Sequence, residues 1–170
     1  MLLYFPSKFD GNEWTIILAL LLNILVFTFL PKRIPKEITP LLVLLSISFP
    51  KIMDTTLAVK PLNFYNLNDT SQYEIFDLAL YGVYPAFGYL FIYFYDYYKF
   101  KGYGLVLYFI IWSLAGVSVE FLLVHFHVFV YKGWQLFYSL PIYIVVLPLT
   151  FMFYKFVSYY LIEKPQNQAK

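Results

Sequence analysis

Long apolar runs alternate with short polar breaks along the whole chain. The hydrocarbon core of a bilayer, about 30 Å thick, takes roughly 20 helical residues, and five runs reach that length. The first extends from Trp14 to Leu30 and stops at Pro31-Lys32-Arg33. The second, Thr39 to Val59, is interrupted by Pro50, Lys51 and Asp54, and a polar loop from Lys60 to Glu74 follows it. The third covers Ile75 to Tyr95 and closes at Asp96 and the Lys99-Phe100-Lys101 turn. The fourth covers Tyr103 to Phe126 and carries Glu120. A connection from His127 to Trp134 leads to the fifth, Gln135 to Tyr159, and to a polar tail from Ile162. These runs are continuous, not alternating, which predicts helices rather than the strands of a membrane barrel. The fold class predicted is all-α: a polytopic transmembrane helix bundle of five spans forming a single transmembrane domain over 1–170. No loop is long enough to fold into a soluble domain, and there is no internal repeat.

Composition agrees. Hydrophobic residues make up 61% of the 170 and charged residues 13%, with a mean hydropathy of +0.67. A soluble domain has about 45–50% apolar and about 25% charged residues, so a water-soluble globule is excluded. The absence of cysteine rules out disulfides, thiolate metal sites, thiol nucleophiles and S-acylation. A net charge of +2 without a basic cluster argues against nucleic acid as a partner. The segment Met1 to Glu13 lacks the basic region of a secretory signal, so the first run is expected to stay in the mature protein. No cofactor motif occurs.

Lys and Arg favour the cytoplasmic loops of membrane proteins. With the N-terminus outside and the C-terminus cytoplasmic, the inner loops hold Lys32, Arg33, Lys36, Lys99, Lys101, Lys155, Lys164 and Lys170. The outer loops hold Lys8, Lys60 and Lys132, and Lys51 lies within a span. The opposite orientation inverts that bias. Asn68-Asp69-Thr70, which then lies outside, matches a glycosylation acceptor, a pattern that arises easily in an Asn-rich loop.

An ionisable residue within a span costs at least about 2.5–3.5 kcal/mol, so such residues are rare and are paired or functional. At about 1.5 Å per residue, Lys51 and Asp54 lie roughly 18–22 Å up the second span, and Glu120 about 25 Å up the fourth. Asp77 falls in the first turn of the third. Every unusual polar group therefore belongs to the outer half. Helical spacing aligns Ser113, Gly116, Glu120 and His127 on one face, Asp77, Tyr81, Tyr84, Gly88 and Tyr95 on another, and Ser48, Lys51 and Thr55 on a third. The expectation is one cluster of Lys51, Asp54, Asp77 and Glu120 among the second to fifth helices, with His127 near it. Tyr81, Tyr84, Trp134, Tyr138, Ser139 and Tyr143 would line an outward-facing pocket. Three carboxylates against one lysine require either water or a retained proton, and Glu120 is the candidate to keep one.

Each of these residues also has a plainer role. Lys51 and Asp54 can form a local ion pair with Lys51 snorkelling to the interface, and Asp77 can simply favour a helix N-terminus. Glu120 can be an interhelical hydrogen-bond partner. His125 and His127, two residues apart, point to different faces, so no metal site is expected from that helix alone; one through His127 with Glu120 or Asp77 is the minor alternative. Most of the 18 Tyr and 19 Phe suit lipid-facing bulk and interfacial belts. Lys155 is read as a cytoplasmic anchor, and Pro50, Pro85, Pro141 and Pro148 as interruptions that free backbone groups.

From Trp112 to Tyr143 the chain reads W-x7-E-x10-Y-x-G-W-x3-Y-S-x3-Y, set by Glu120, Tyr131, Gly133, Trp134, Tyr138, Ser139 and Tyr143. This stretch resembles an uncharacterised family of small multi-spanning membrane proteins of spore-forming bacteria. The resemblance implies a bacterial plasma-membrane location and supplies no mechanism.

The leading functional reading is non-enzymatic: binding or passage of a small solute, cation or proton, without a cofactor. Five helices without a repeat are few for an autonomous transporter, so a homo-oligomer or another membrane protein is the expected partner besides the lipid bilayer. One alternative is a membrane-embedded enzyme acting on a lipid or lipid-linked substrate at the outer leaflet, with Glu120 as acid or base. The other is a structural or sensory membrane partner whose charges fix helix register.

Overall fold

The computed structural model describes residues 4–6, 8–68 and 74–163. Six α-helices build five segments long and apolar enough to cross a membrane. They are α1 (Gly11–Phe29), α2 (Thr39–Leu57), α3 (Ile75–Leu80), α4 (Tyr84–Tyr98), α5 (Tyr103–His125) and α6 (Leu136–Ser158), the last continuing into a π-helical turn at Tyr159–Glu163. The chain is thus a multi-pass membrane protein. The polar tail beyond Glu163, with Lys164 and Lys170, lies outside the described residues.

Local chemistry sets the boundaries. Helix α1 starts three residues before the apolar run, because the Asp10 amide donates to Glu13 Oε2 at 2.9 Å and closes a capping box. Such a box satisfies amides that the first turn leaves without a helical partner. Pro40 enters α2 where its missing N–H costs nothing. Lys99 ends α4 in the left-handed region, at φ +52°.

The third span departs from expectation. It is discontinuous: α3 ends at Leu80, a turn occupies 81–83, and α4 begins at Tyr84 with Pro85 behind it. A broken helix strands polar backbone groups where lipid offers no partner. Asn23 of α1 meets that need. Its amide donates to the Val83 carbonyl at 2.9 Å, and its Oδ1 accepts from the Ala86 N–H at 2.8 Å.

Helix α4 is the hub, packing on α1, α2 and α6, while α5 packs along α6. Its approach to α2 depends on Gly88, where an added Cβ would stand 2.0 Å from Ser46 Oγ. The larger core gathers Ile38, Leu42, Tyr89, Phe91, Ile92 and Tyr108. There Phe91 and Phe100 stack on the Tyr108 ring at centroid distances of 5.3 and 4.8 Å. The outward faces are apolar as well, with Leu18, Leu22, Ile24 and Leu25 on α1 and Val106, Leu107, Ile110 and Ile111 on α5 all exposed. Lipid accepts such a surface and water does not.

Two loops do more than connect. Tyr65–Leu67 (β1) and Phe129–Tyr131 (β2) pair antiparallel, with Tyr65 opposite Tyr131 and Leu67 opposite Phe129. Side chains alternate across a strand, so these four share one face. Leu67 and Phe129 pack on a small core of Ile16, Leu80, Leu123 and Val128. The two-stranded sheet thus caps one end of the bundle. At the other end Asp96 of α4 pairs with Lys99, lies 3.7 Å from Arg33 Nε, and accepts a hydrogen bond from the Tyr154 hydroxyl at 3.2 Å.

Candidate functional site

The capped end carries the intramembrane acids, in separate settings rather than in one cluster. Asp54 is buried on α2. The Tyr65 hydroxyl donates to its Oδ1 at 2.8 Å and the Tyr81 hydroxyl to its Oδ2 at 2.9 Å. Lys51 does not form the anticipated ion pair with it. Its ammonium lies over the Tyr81 ring, 4.7 Å from the centroid and 3.5 Å from the hydroxyl. The Tyr81 phenol thus touches both the ammonium and the carboxylate, and Asp54 still feels the nearby positive charge. Ser48, Lys51 and Thr55 all face outward, because the inward face of α2 is taken by packing on α4.

Glu120 is half-buried on α5. Its Oε1 accepts hydrogen bonds from the Tyr131 hydroxyl and, at 2.6 Å, from the Ser139 hydroxyl. Trp134 Nε1 donates to Ser139 Oγ at 3.0 Å, a second layer that holds the serine in place. The Tyr143 phenol also faces Glu120. Its ring fits because residue 116, one turn before the acid, is glycine: a Cβ there would be 2.9 Å from Tyr143 Cδ1. The stretch Trp112 to Tyr143 thus folds back on itself, with Tyr131, Trp134, Ser139 and Tyr143 gathered around Glu120.

The two carboxylates belong to one layer. Tyr65, which holds Asp54, stands opposite Tyr131, which holds Glu120, in the strand pair. Tyr65 also packs edge-on to Trp134 at 6.2 Å. Both strand phenols are held firmly as donors. Burial pushes the Tyr65 hydroxyl's pKa well up, aided by the Asp54 charge. Burial likewise raises that of Tyr131, with its hydrogen bond to Glu120 adding to the effect. A phenol donor to a carboxylate makes a charge-assisted bond worth about 1.5–3 kcal/mol.

Asp77 is bonded to neither of these phenols. Its Oδ2 accepts from the Glu74 amide at 2.8 Å, and its Oδ1 accepts from the Asn68 side chain. It is the third residue of a capping box on α3, which is the helix-terminus role rather than the site role. The Asn68 amide is fully buried and committed to Asp77, which is incompatible with glycosylation; Asp69 and Thr70 lie outside the described residues. His127 does not join Glu120 either. Helix α5 ends at His125, so helical spacing no longer applies, and His127 sits exposed at φ +58°. Tyr138 is 41% exposed and packs on Trp134 and Phe137 rather than on the acid. Among the described residues no three His, Asp or Glu side chains are placed to hold a metal ion.

Sequence reasoning missed Tyr65 and Asn23. The Tyr-Asn-Leu and Phe-Val-Tyr triplets do carry a strand-like alternation, but three residues are too few to read as strands.

No protein-family model, curated protein or solved structure matches this chain.

Proposed function

We propose that this multi-pass protein resides in a bacterial plasma membrane with its N-terminus outside, and that its capped end binds or passes a proton or small cation within an oligomer or complex. The orientation rests on the Lys and Arg distribution. The resemblance of the Trp112–Tyr143 stretch supports the location.

One observation carries the functional part. Asp54 and Glu120 are held by hydroxyl donors, and neither takes part in an ion pair; the ion pairs among the described residues both involve Asp96, at the opposite end. A carboxylate held by hydroxyl donors and in no ion pair keeps a negative charge that a proton or a cation can meet. Phenols suit that exchange, since one hydroxyl both donates and accepts. Flux of protons and of sodium or potassium into liposomes, measured for wild type, Glu120→Gln and Asp54→Asn, tests the reading. Flux lost in a folded Glu120→Gln protein supports it, and flux unchanged by both substitutions sinks it.

A structural reading has its own support. The same phenols tie the two-stranded cap to α2 and α5, so the acids also serve as anchor points. That role alone predicts lowered stability in both variants with no flux in any protein.

A further inference from the structure

Lys60 and Lys132 converge at the capped end from loops far apart in sequence. Lys60 follows the end of α2, in a loop folded back on the helix through the Asn63 amide to Val59 O (2.9 Å) and the Phe64 amide to Leu57 O (2.8 Å). Lys132 follows β2 directly. The amides of Lys132, Gly133 and Trp134 all point at the Phe64 carbonyl, at 2.8, 3.0 and 3.1 Å. The two loops are thereby locked together. Between them lies an open cleft of about 830 Å³, within the roughly 300–1,000 Å³ range of small-molecule sites.

The lining combines two chemistries. Lys60, Lys132 and Asn63 supply polar groups, and Pro61, Leu62 and Phe64 supply an apolar floor, with no acidic residue among them. The Lys132 ammonium donates to Asn63 Oδ1 at 3.4 Å, which keeps it over the cleft. Gly133 lies against the Phe64 ring. The depth is also informative. The cleft lies just beyond Leu57 of α2 and just before Leu136 of α6, beside exposed Val59 and Leu62 and the Phe64–Trp134 ring contact. Aromatic residues at span ends mark the headgroup level of a bilayer. A ligand there would present an anionic head to two lysines and an apolar body to Leu62 and Phe64.

We propose that this cleft binds the phosphate headgroup of an anionic phospholipid. The ammonium groups of Lys60 and Lys132 contact the phosphate oxygens as compact cationic donors, and the glycerol and upper acyl carbons lie on Leu62 and Phe64. The proposal is independent of ion handling at Asp54 and Glu120.

The test is thermal stability of the full chain in neutral detergent micelles, with added phosphatidylglycerol, phosphatidylcholine or inorganic phosphate. Phosphatidylglycerol should raise Tm above the phosphatidylcholine value in wild type. That difference should be lost in Lys60→Gln/Lys132→Gln and kept in Lys8→Gln, which removes an exposed lysine outside the cleft. Both cleft lysines are exposed, so the double variant should match wild type in phosphatidylcholine. Equal shifts with the two lipids, a shift that survives the double substitution, or one lost equally in Lys8→Gln would overturn the proposal. Inorganic phosphate reproducing the full shift would overturn the lipid assignment.

Discussion

Tyr65 and Tyr131 stand opposite each other in the two-stranded ladder, and each phenol ends on a carboxylate of a different helix, Asp54 of α2 and Glu120 of α5. One cross-strand pair therefore joins a sheet to two helices that are far apart in sequence. Either phenol replaced by phenylalanine leaves a buried or half-buried carboxylate short of a donor. We expect Tyr65→Phe and Tyr131→Phe each to cost about 1–3 kcal/mol, read as a lower Tm in detergent. Their effects should be less than additive, because loosening one strand already loosens its partner. Full additivity would mean that the two phenols act independently.

The raised pKa values of these two phenols set a pH limit. An unfolded tyrosine ionises near pH 10, whereas folded Tyr65 and Tyr131 stay protonated well above that. Their contribution is therefore complete below about pH 10 and is lost as pH rises beyond it, because only the unfolded chain gains by releasing the protons. A Tm that falls above about pH 10 and falls less steeply in Tyr65→Phe is the expected result. Ultraviolet difference spectra should show both phenols titrating after the exposed tyrosines.

Asn23 of α1 bonds to both edges of the break in the third span. Replacing it with leucine keeps the bulk and strands the Ala86 N–H and the Val83 carbonyl in an apolar setting. The expected loss is about 1–3 kcal/mol for each group left unsatisfied. Asn23→Leu should expose α3 to proteolysis ahead of the other helices, and unchanged stability would show that the break satisfies itself.

The α2–α4 contact at Ser46 and Gly88 leaves no space for a methyl group. Gly88→Ala should destabilise by about 1–3 kcal/mol through overpacking. Ser46→Gly in the same chain should recover most of that loss, since it removes both the Oγ and the Cβ that the new methyl meets. Failure of the rescue would place the strain elsewhere in α4.

Orientation is open to a direct test because the chain has no cysteine of its own. Single Lys132→Cys and Lys101→Cys substitutions fall on exposed positions at opposite ends of the bundle. In intact cells a membrane-impermeant maleimide should label position 132 and spare position 101. The reverse pattern would invert the topology and move the lysine cleft to the inner leaflet.

Five spans were legible from the sequence because a helix in lipid answers only to its own length and apolarity, and the runs stand out without knowledge of any neighbour. That Lys51, Asp54 and Glu120 fall within spans followed from the same counting. What surrounds each acid depended on the tertiary structure. Spacing put Lys51 and Asp54 within reach of one another, yet packing of α2 on α4 turned Asp54 inward and left Lys51 over a tyrosine ring. Spacing also put His127 above Glu120, but α5 stops two residues short. Tyr65 and Tyr131 lie in loops whose three-residue strands have no stability alone and form only when the closed bundle brings them together over the core at Ile16 and Leu80. The sequence by itself determined that this chain lives in a membrane, and which of its charges fall within spans, since hydrophobic burial in lipid is a local property. Only the tertiary structure decided which donors meet Asp54 and Glu120, because hydrogen bonds between distant segments exist only once the helices have packed.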